Sequence, residues 1–192
     1  MDVRAGSATA EPDIRTRPQL EAAFGPDGCR LGQLGPAQAG VFLNEFGDVL
    51  YDDAYVVSAG QHASWAWAWE HGSWLCVEDD DLVRRVSAGA TAVVLHANEK
   101  PMVEFRYAED GRLVTGINTL LSLRPEDRTG SEPHRFDATL CALEADPDSN
   151  DYGPLGLRGL FYRVAEDLGV GLPHEDLIKK PVFSGQLQPR IP

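Results

Sequence analysis

Four tryptophans crowd into one short segment, at Trp65, Trp67, Trp69 and Trp74. Indole faces stack on sugars, bases and cationic groups, and they anchor protein interfaces. On a strand, alternation sets Trp65, Trp67 and Trp69 on one face and Ala66 and Ala68 on the other. The same pattern also suits a packed core, because aromatic strand residues pack well against their neighbours. A second cluster follows at once. Glu78, Asp79, Asp80 and Asp81 form an acidic run that can meet a basic partner or a divalent cation. One or two of these acids suit a helix N-terminus, where a carboxylate gains about 0.3–1 kcal/mol. Four in a row exceed what one cap requires.

Two further groups carry weaker chemistry. Asp146, Asp148 and Asn150 fall on the first alternating ligand positions of a calcium loop. Asp151 stands where that loop requires Gly, and Leu157 stands where it requires a bidentate Glu, so the segment reads as an Asx-rich turn. His96 ends an apolar run with Glu99 nearby, a spacing open to general-base chemistry. His71 reads as a turn residue. The sequence contains no GxxxxGK[ST], no GxGxxG after a strand and no GxSxG, and no His or Cys set has zinc-ligand spacing. No catalytic residue, cofactor or metal is therefore implied by motif.

The elements that must position these residues are read from periodicity. ASWAWAWE reads as a strand, His71-Gly72 as a two-residue turn, and SWLCVE as the returning strand, which would set Trp69 opposite Trp74. Asp80 or Asp81 caps a helix with Leu82, Val83 and Val86 inward, closed by Gly89. ATAVVLHAN suits a buried strand. In PMVEFRYAEDGRLVTGI, Val103, Phe105 and Tyr107 alternate with Glu104 and Arg106, and Asp110-Gly111 is a type I′ turn that faces Glu109 with Arg112. Ser131 and Pro133 open a helix with Phe136, Leu140 and Leu143 inward. Leu157, Leu160, Phe161, Val164 and Leu168 follow the helical period up to Gly169. Short helices are also expected near 16–24, 36–47 and 173–178, with a loop over 25–35.

These elements imply an α+β fold, an antiparallel sheet of hairpins with helices packed mainly on one face. The small Ala66/Ala68 face would let a helix approach closely. The 192 residues make one domain. Residues 1–18 read as a flexible tail, 19–180 as a single domain and 181–192 as coil.

Thirty acidic residues against 17 basic ones give a formal charge of −13. That field repels phosphate backbones and anionic lipid, which disfavours nucleic-acid and membrane-surface roles, and it draws a basic partner inward. No apolar run is long enough to span a bilayer, and the N-terminus lacks a secretory apolar core. Cys29, Cys76 and Cys141 are far apart and odd in number, which reads as reduced thiols in the cytoplasm. Arginine far outnumbers lysine, as a GC-rich genome encodes.

GSWLCVEDD, LVRRVSAGATAVV, YAEDGRLVT and RTGSEP, in that order, resemble an uncharacterised family, a domain of unknown function found mainly in actinobacteria. The likeness covers about residues 60–180. It rests on Trp74, Val77 and Glu78, on Leu82, Arg84, Arg85, Ser87 and Gly89, and on Tyr107 to Gly111. The resemblance carries no activity and no catalytic residue.

Three readings of function remain. The first is a non-enzymatic acidic binding protein, immunity- or antitoxin-like, docking on a basic protein partner. Glu78, Asp79, Asp80 and Asp81 would steer it and Trp65, Trp67 and Trp69 would anchor it. The second is a small-molecule-binding protein or enzyme, with a pocket over the sheet lined by Trp residues and Tyr107 and with His96 or a carboxylate as base. The third is a structural subunit or cargo of a larger assembly, tethered through the 1–18 tail. The oligomeric state stays open.

Overall fold

Two antiparallel sheets carry the chain. The computed structural model describes residues 29–34, 55–71, 74–98, 100, 102–120, 122–171 and 182–187. The first sheet has the order β1-β7-β2-β3, from β1 (Cys29–Leu34), β2 (Tyr55–His62), β3 (Trp65–His71) and β7 (Val182–Leu187). The second has the order β4-β5-β6, from β4 (Thr91–Ala97), β5 (Val103–Glu109) and β6 (Arg112–Asn118). The helices are α1 (Leu75–Glu78), α2 (Asp80–Val86), α3 (Asp137–Ala142) and α4 (Gly156–Asp167). The α+β class expected from the sequence is the one observed.

The β5–β6 hairpin follows the predicted register. Glu109 pairs with Arg112, and Asp110 and Gly111 take φ of 49° and 74°, as a type I′ turn requires. One face of β5 presents Val103, Phe105 and Tyr107 to a core shared with Phe136, Leu140, Leu160, Phe161 and Val164. Phe105 stacks on Phe161 at 5.5 Å between ring centroids and meets Phe136 edge-on at 5.3 Å. Helix α4 lies over this face on its expected stripe, and Gly169 ends it at φ 81°. The opposite face of β5, with Glu104, Arg106 and Ala108, lies under α1 and α2, so the second sheet is covered on both sides.

Several local expectations are corrected. SWLCVE is not a strand: residues 75–78 form a helical turn, because both carboxylate oxygens of Glu70 accept from the Leu75 and Cys76 amides at 2.6 and 2.9 Å. The hairpin partner of β3 is β2, joined through Ala63 at φ 51°, so Trp69 pairs with Ser58 and not with Trp74. Residues 182–187 form β7 between β1 and β2, and residues 29–34, read as loop, form β1. Helix α3 begins at Asp137, since the Ser131 amide and hydroxyl both turn back to the Leu113 carbonyl. The tail over 1–18 and the helices expected near 16–24, 36–47 and 173–178 lie outside the described residues.

The RTGSEP segment is sewn onto β6. Gly116 and Thr129 exchange both backbone hydrogen bonds at 2.9 Å. Arg128, with its side chain fully buried, donates to the carbonyls of Leu123 and Pro133 and to Asp137. Desolvation pushes the Asp137 carboxyl up, but the hydrogen bonds and charges of Arg128 and His134 outweigh it and hold Asp137 below its ordinary value.

Candidate functional site

Strand β3 is an outer strand of its sheet among the described residues. Its register against β2 places Trp65, Trp67, Trp69 and His71 on one face with His62, Gly60, Ser58 and Val56. The three-tryptophan face predicted from alternation is therefore present, and it is only half covered. Trp65 and Trp67 are partly buried and Trp69 is 41% exposed. Ala66 and Ala68 are exposed, so no described helix uses that small-residue face. The bare glycine at 60 admits the Trp67 ring, whose Cζ2 would stand 2.6 Å from any added Cβ. Trp69 stacks on His71 at 5.0 Å.

A polar thread runs beneath these rings. The Ser58 hydroxyl lies 2.7 Å from His71 Nε2 and 2.8 Å from the Ser184 hydroxyl, and both serines are buried. Burial lowers the His71 pKa, because a low-dielectric surround disfavours the imidazolium. A neutral imidazole can take the hydroxyl proton bond, but Ser58 is shielded from solvent and binds the two strands β2 and β7 together. His71 is thus a strand residue and not the turn residue the sequence suggested.

The acidic run is largely paired. Asp79 caps α2 by accepting from the Asp81 and Leu82 amides, and it meets Arg85 at 3.4 Å. Asp80 pairs with Arg106 at 2.5 Å, and Asp81 with Arg84 at 3.4 Å. Glu78 is exposed at the end of α1. Arg106 also binds Glu104 at 2.6 Å and the Val77 carbonyl, so one guanidinium ties α1 and α2 to the sheet.

Next to that knot lies a group the sequence only half revealed. His96 is directly across β4–β5 from Glu104, which is buried and also takes a hydrogen bond from Asn118. The expected neighbour of His96, Glu99, lies outside the described residues. His96 Nε2 is buried without a hydrogen-bond partner, and the half-exposed Trp74 ring meets the imidazole edge at 5.6 Å. Only strand pairing brings Glu104 to His96, so sequence proximity could not find it. Tyr107 does not join them: it faces the opposite, core side with Phe136, and its hydroxyl donates to Glu109.

The remaining sequence candidates are explained locally. Asp146 and Asp151 close their loop as a β-bridge, and Asp146 Oδ1 accepts from the Asp148 amide in an Asx turn. Among the described residues no group of three or more His, Cys, Asp or Glu side chains is arranged to hold a metal ion. Burial, with Glu70 alongside, pushes the Cys76 thiol far up, so it stays protonated, whereas Cys141 is exposed.

A model of a family of unknown function, DUF6461, matches residues 36–153, more than half of the chain. The chain belongs to DUF6461. The match takes in β2, β3 and the whole second sheet, together with Trp74, Glu104 and His96; it begins before and ends before the stretch of about 60–180 over which the sequence shows the likeness. It stops before α4, which supplies Leu160, Phe161 and Val164 to the core, and it excludes β1 and β7. The DUF6461 segment of this chain is thus completed by residues on either side of it. No curated protein and no solved structure matches the chain.

Proposed function

We propose that this protein is a non-enzymatic binding protein that docks on a basic protein partner through its tryptophan-bearing surface. The observation that carries the reading is that Trp69 and Trp74 keep 41% and 51% of their surfaces in solvent, in a chain with a net charge of −13. Exposed indoles are the residues most often found at the energetic centre of interfaces, and an opposite field raises the encounter rate. Trp65 and Trp67 would flank the anchor. Glu78 and the exposed oxygens of Asp80 and Asp81 would contribute to steering, although their arginine partners leave most of it to the field of the whole chain. An immunity- or antitoxin-like role in the cytoplasm of an actinobacterium is the most specific form of this reading.

The test is affinity purification of the full chain from its native host at low salt, with quantitative mass spectrometry. A stoichiometric basic protein is expected, released as salt rises. Trp69→Ser with Trp74→Ser should weaken capture by roughly thirtyfold or more, about 2 kcal/mol, with an unchanged circular dichroism spectrum. Equal capture by the double variant would overturn the reading.

One observation favours a second reading, a small-molecule site under Trp74. His96 Nε2 is a buried polar atom with no partner, beside the buried carboxylate of Glu104. Such an atom is costly unless something pairs with it. A polar metabolite that raises the melting temperature of the wild type but not of His96→Phe would establish this reading in place of the first.

A further inference from the structure

Three segments distant in sequence enclose an open cleft of about 610 Å³ beside β6. Helix α2 gives one wall with Asp80 and Arg84. The β5–β6 turn gives the floor with Gly111 and Arg112, and the 129–131 loop gives the other wall. This volume falls within the range of about 300–1,000 Å³ typical of small-molecule sites.

We propose that this cleft binds a small molecule through a phosphate or carboxylate group held between Arg84 and Arg112. Three observations carry the assignment. First, the charge lining the cleft opposes that of the chain. Asp80 is the acidic lining residue, and its Oδ1 is already engaged by Arg106 at 2.5 Å. Second, both arginines are loosely held. Arg84 stands 3.4 Å from Asp81 and Arg112 stands 3.7 Å from Glu132, well beyond the roughly 2.7–2.9 Å of a charge-assisted hydrogen bond. Their side chains are 55% and 60% exposed. Exposed pairs of this kind are weak, so an incoming anion exchanges for them at little cost. A guanidinium fork also matches the geometry of carboxylate and phosphate oxygens.

Third, the opposite wall is built in advance. The Thr129, Ser131 and Glu132 amides bond to the carbonyls of Gly116, Leu113 and Val114, which fixes the loop along β6. Gly130 has φ of 101°, and a Cβ there would strike the Val114 carbonyl, so the turn needs glycine. The Ser131 hydroxyl reaches Leu113 O only at 3.5 Å, which leaves it able to donate to a ligand oxygen. A rigid wall lowers the ordering cost of binding. The cleft shares Asp80 with the acidic run, but neither Trp69 nor His96 lines it, and its fate does not depend on the docking reading.

The experiment is an amide-resolved NMR titration of the full chain with inorganic phosphate and, separately, succinate, each against chloride at equal ionic strength. Saturable shifts at Gly111, Gly130 and Ser131 are expected with at least one probe, and the better probe assigns the ligand class. Arg84→Gln and Arg112→Gln, both at exposed positions, should each weaken the interaction about tenfold. Arg163→Gln, on α4, should leave it unchanged. Shifts that match those of chloride, that spread over the surface without saturating, or that persist in both cleft variants would overturn the proposal.

Discussion

The second sheet and the outer strand β3 of the first bury their faces to different extents. The β4-β5-β6 sheet has Phe105, Phe136, Leu140 and Phe161 packed on one side and the Arg106–Glu104 knot under α1 and α2 on the other. The β1-β7-β2-β3 sheet carries exposed Ala66 and Ala68 on one side of β3 and a half-covered row of indoles on the other. The difference bears first on stability, which concentrates where aromatic rings are closed in on all sides; the open indole row is the surface that the proposed docking would use.

This contrast can be broken most directly at Phe161. Its ring is fully buried between the second sheet and α4. Phe161→Ala should cost about 3–5 kcal/mol in urea denaturation, and a loss under about 1 kcal/mol would show that the second sheet does not hold the chain together. Gly60 sharpens the contrast from the other side. A Cβ there meets the Trp67 ring at 2.6 Å and must displace it. Gly60→Ala should cost about 1–3 kcal/mol, with the disturbance confined to amides of β2 and β3 in an NMR spectrum.

The smallest expected effect is a pH dependence at His71. Burial holds this imidazole below its ordinary value of 6.5, so the unfolded chain takes up the proton first. The resulting stability is complete above 6.5 and is lost as pH falls through that value towards the folded pKa, where the loss levels off. His71→Gln should flatten that limb of the stability–pH curve. An unchanged slope would mean that His71 is as solvated folded as unfolded.

What could be read from sequence follows a physical divide. The β5–β6 hairpin was legible because Asp110-Gly111 and strict alternation act within a few residues. Helix α4 was legible because five apolar residues keep one period. Residues 75–78 were misread because the Glu70 carboxylate, and not periodicity, decides their conformation. Strand β7 was missed because VFSGQL lacks a strong alternating pattern and gains its hydrogen bonds only from β1 and β2, remote in sequence. The candidate sites divide the same way. The indole row could be read from spacing, while the placing of Glu104 beside His96 comes from pairing across strands and the pairing of Asp80 comes from Arg106 on another element.

All four tryptophans of the chain lie between residues 65 and 74, on β3 or just after it, and the core of the second sheet contains Phe and Tyr but no Trp. Intrinsic indole emission is therefore a region-selective optical reporter. Its thermal or denaturant transition follows the first sheet through Trp65, Trp67 and Trp69 and the junction of α1 with β4 through Trp74, whose ring meets His96, and far-ultraviolet dichroism follows the whole backbone. Coincident transitions would mean that the two sheets unfold as one cooperative unit, and an earlier emission change would mean that the open sheet comes apart first.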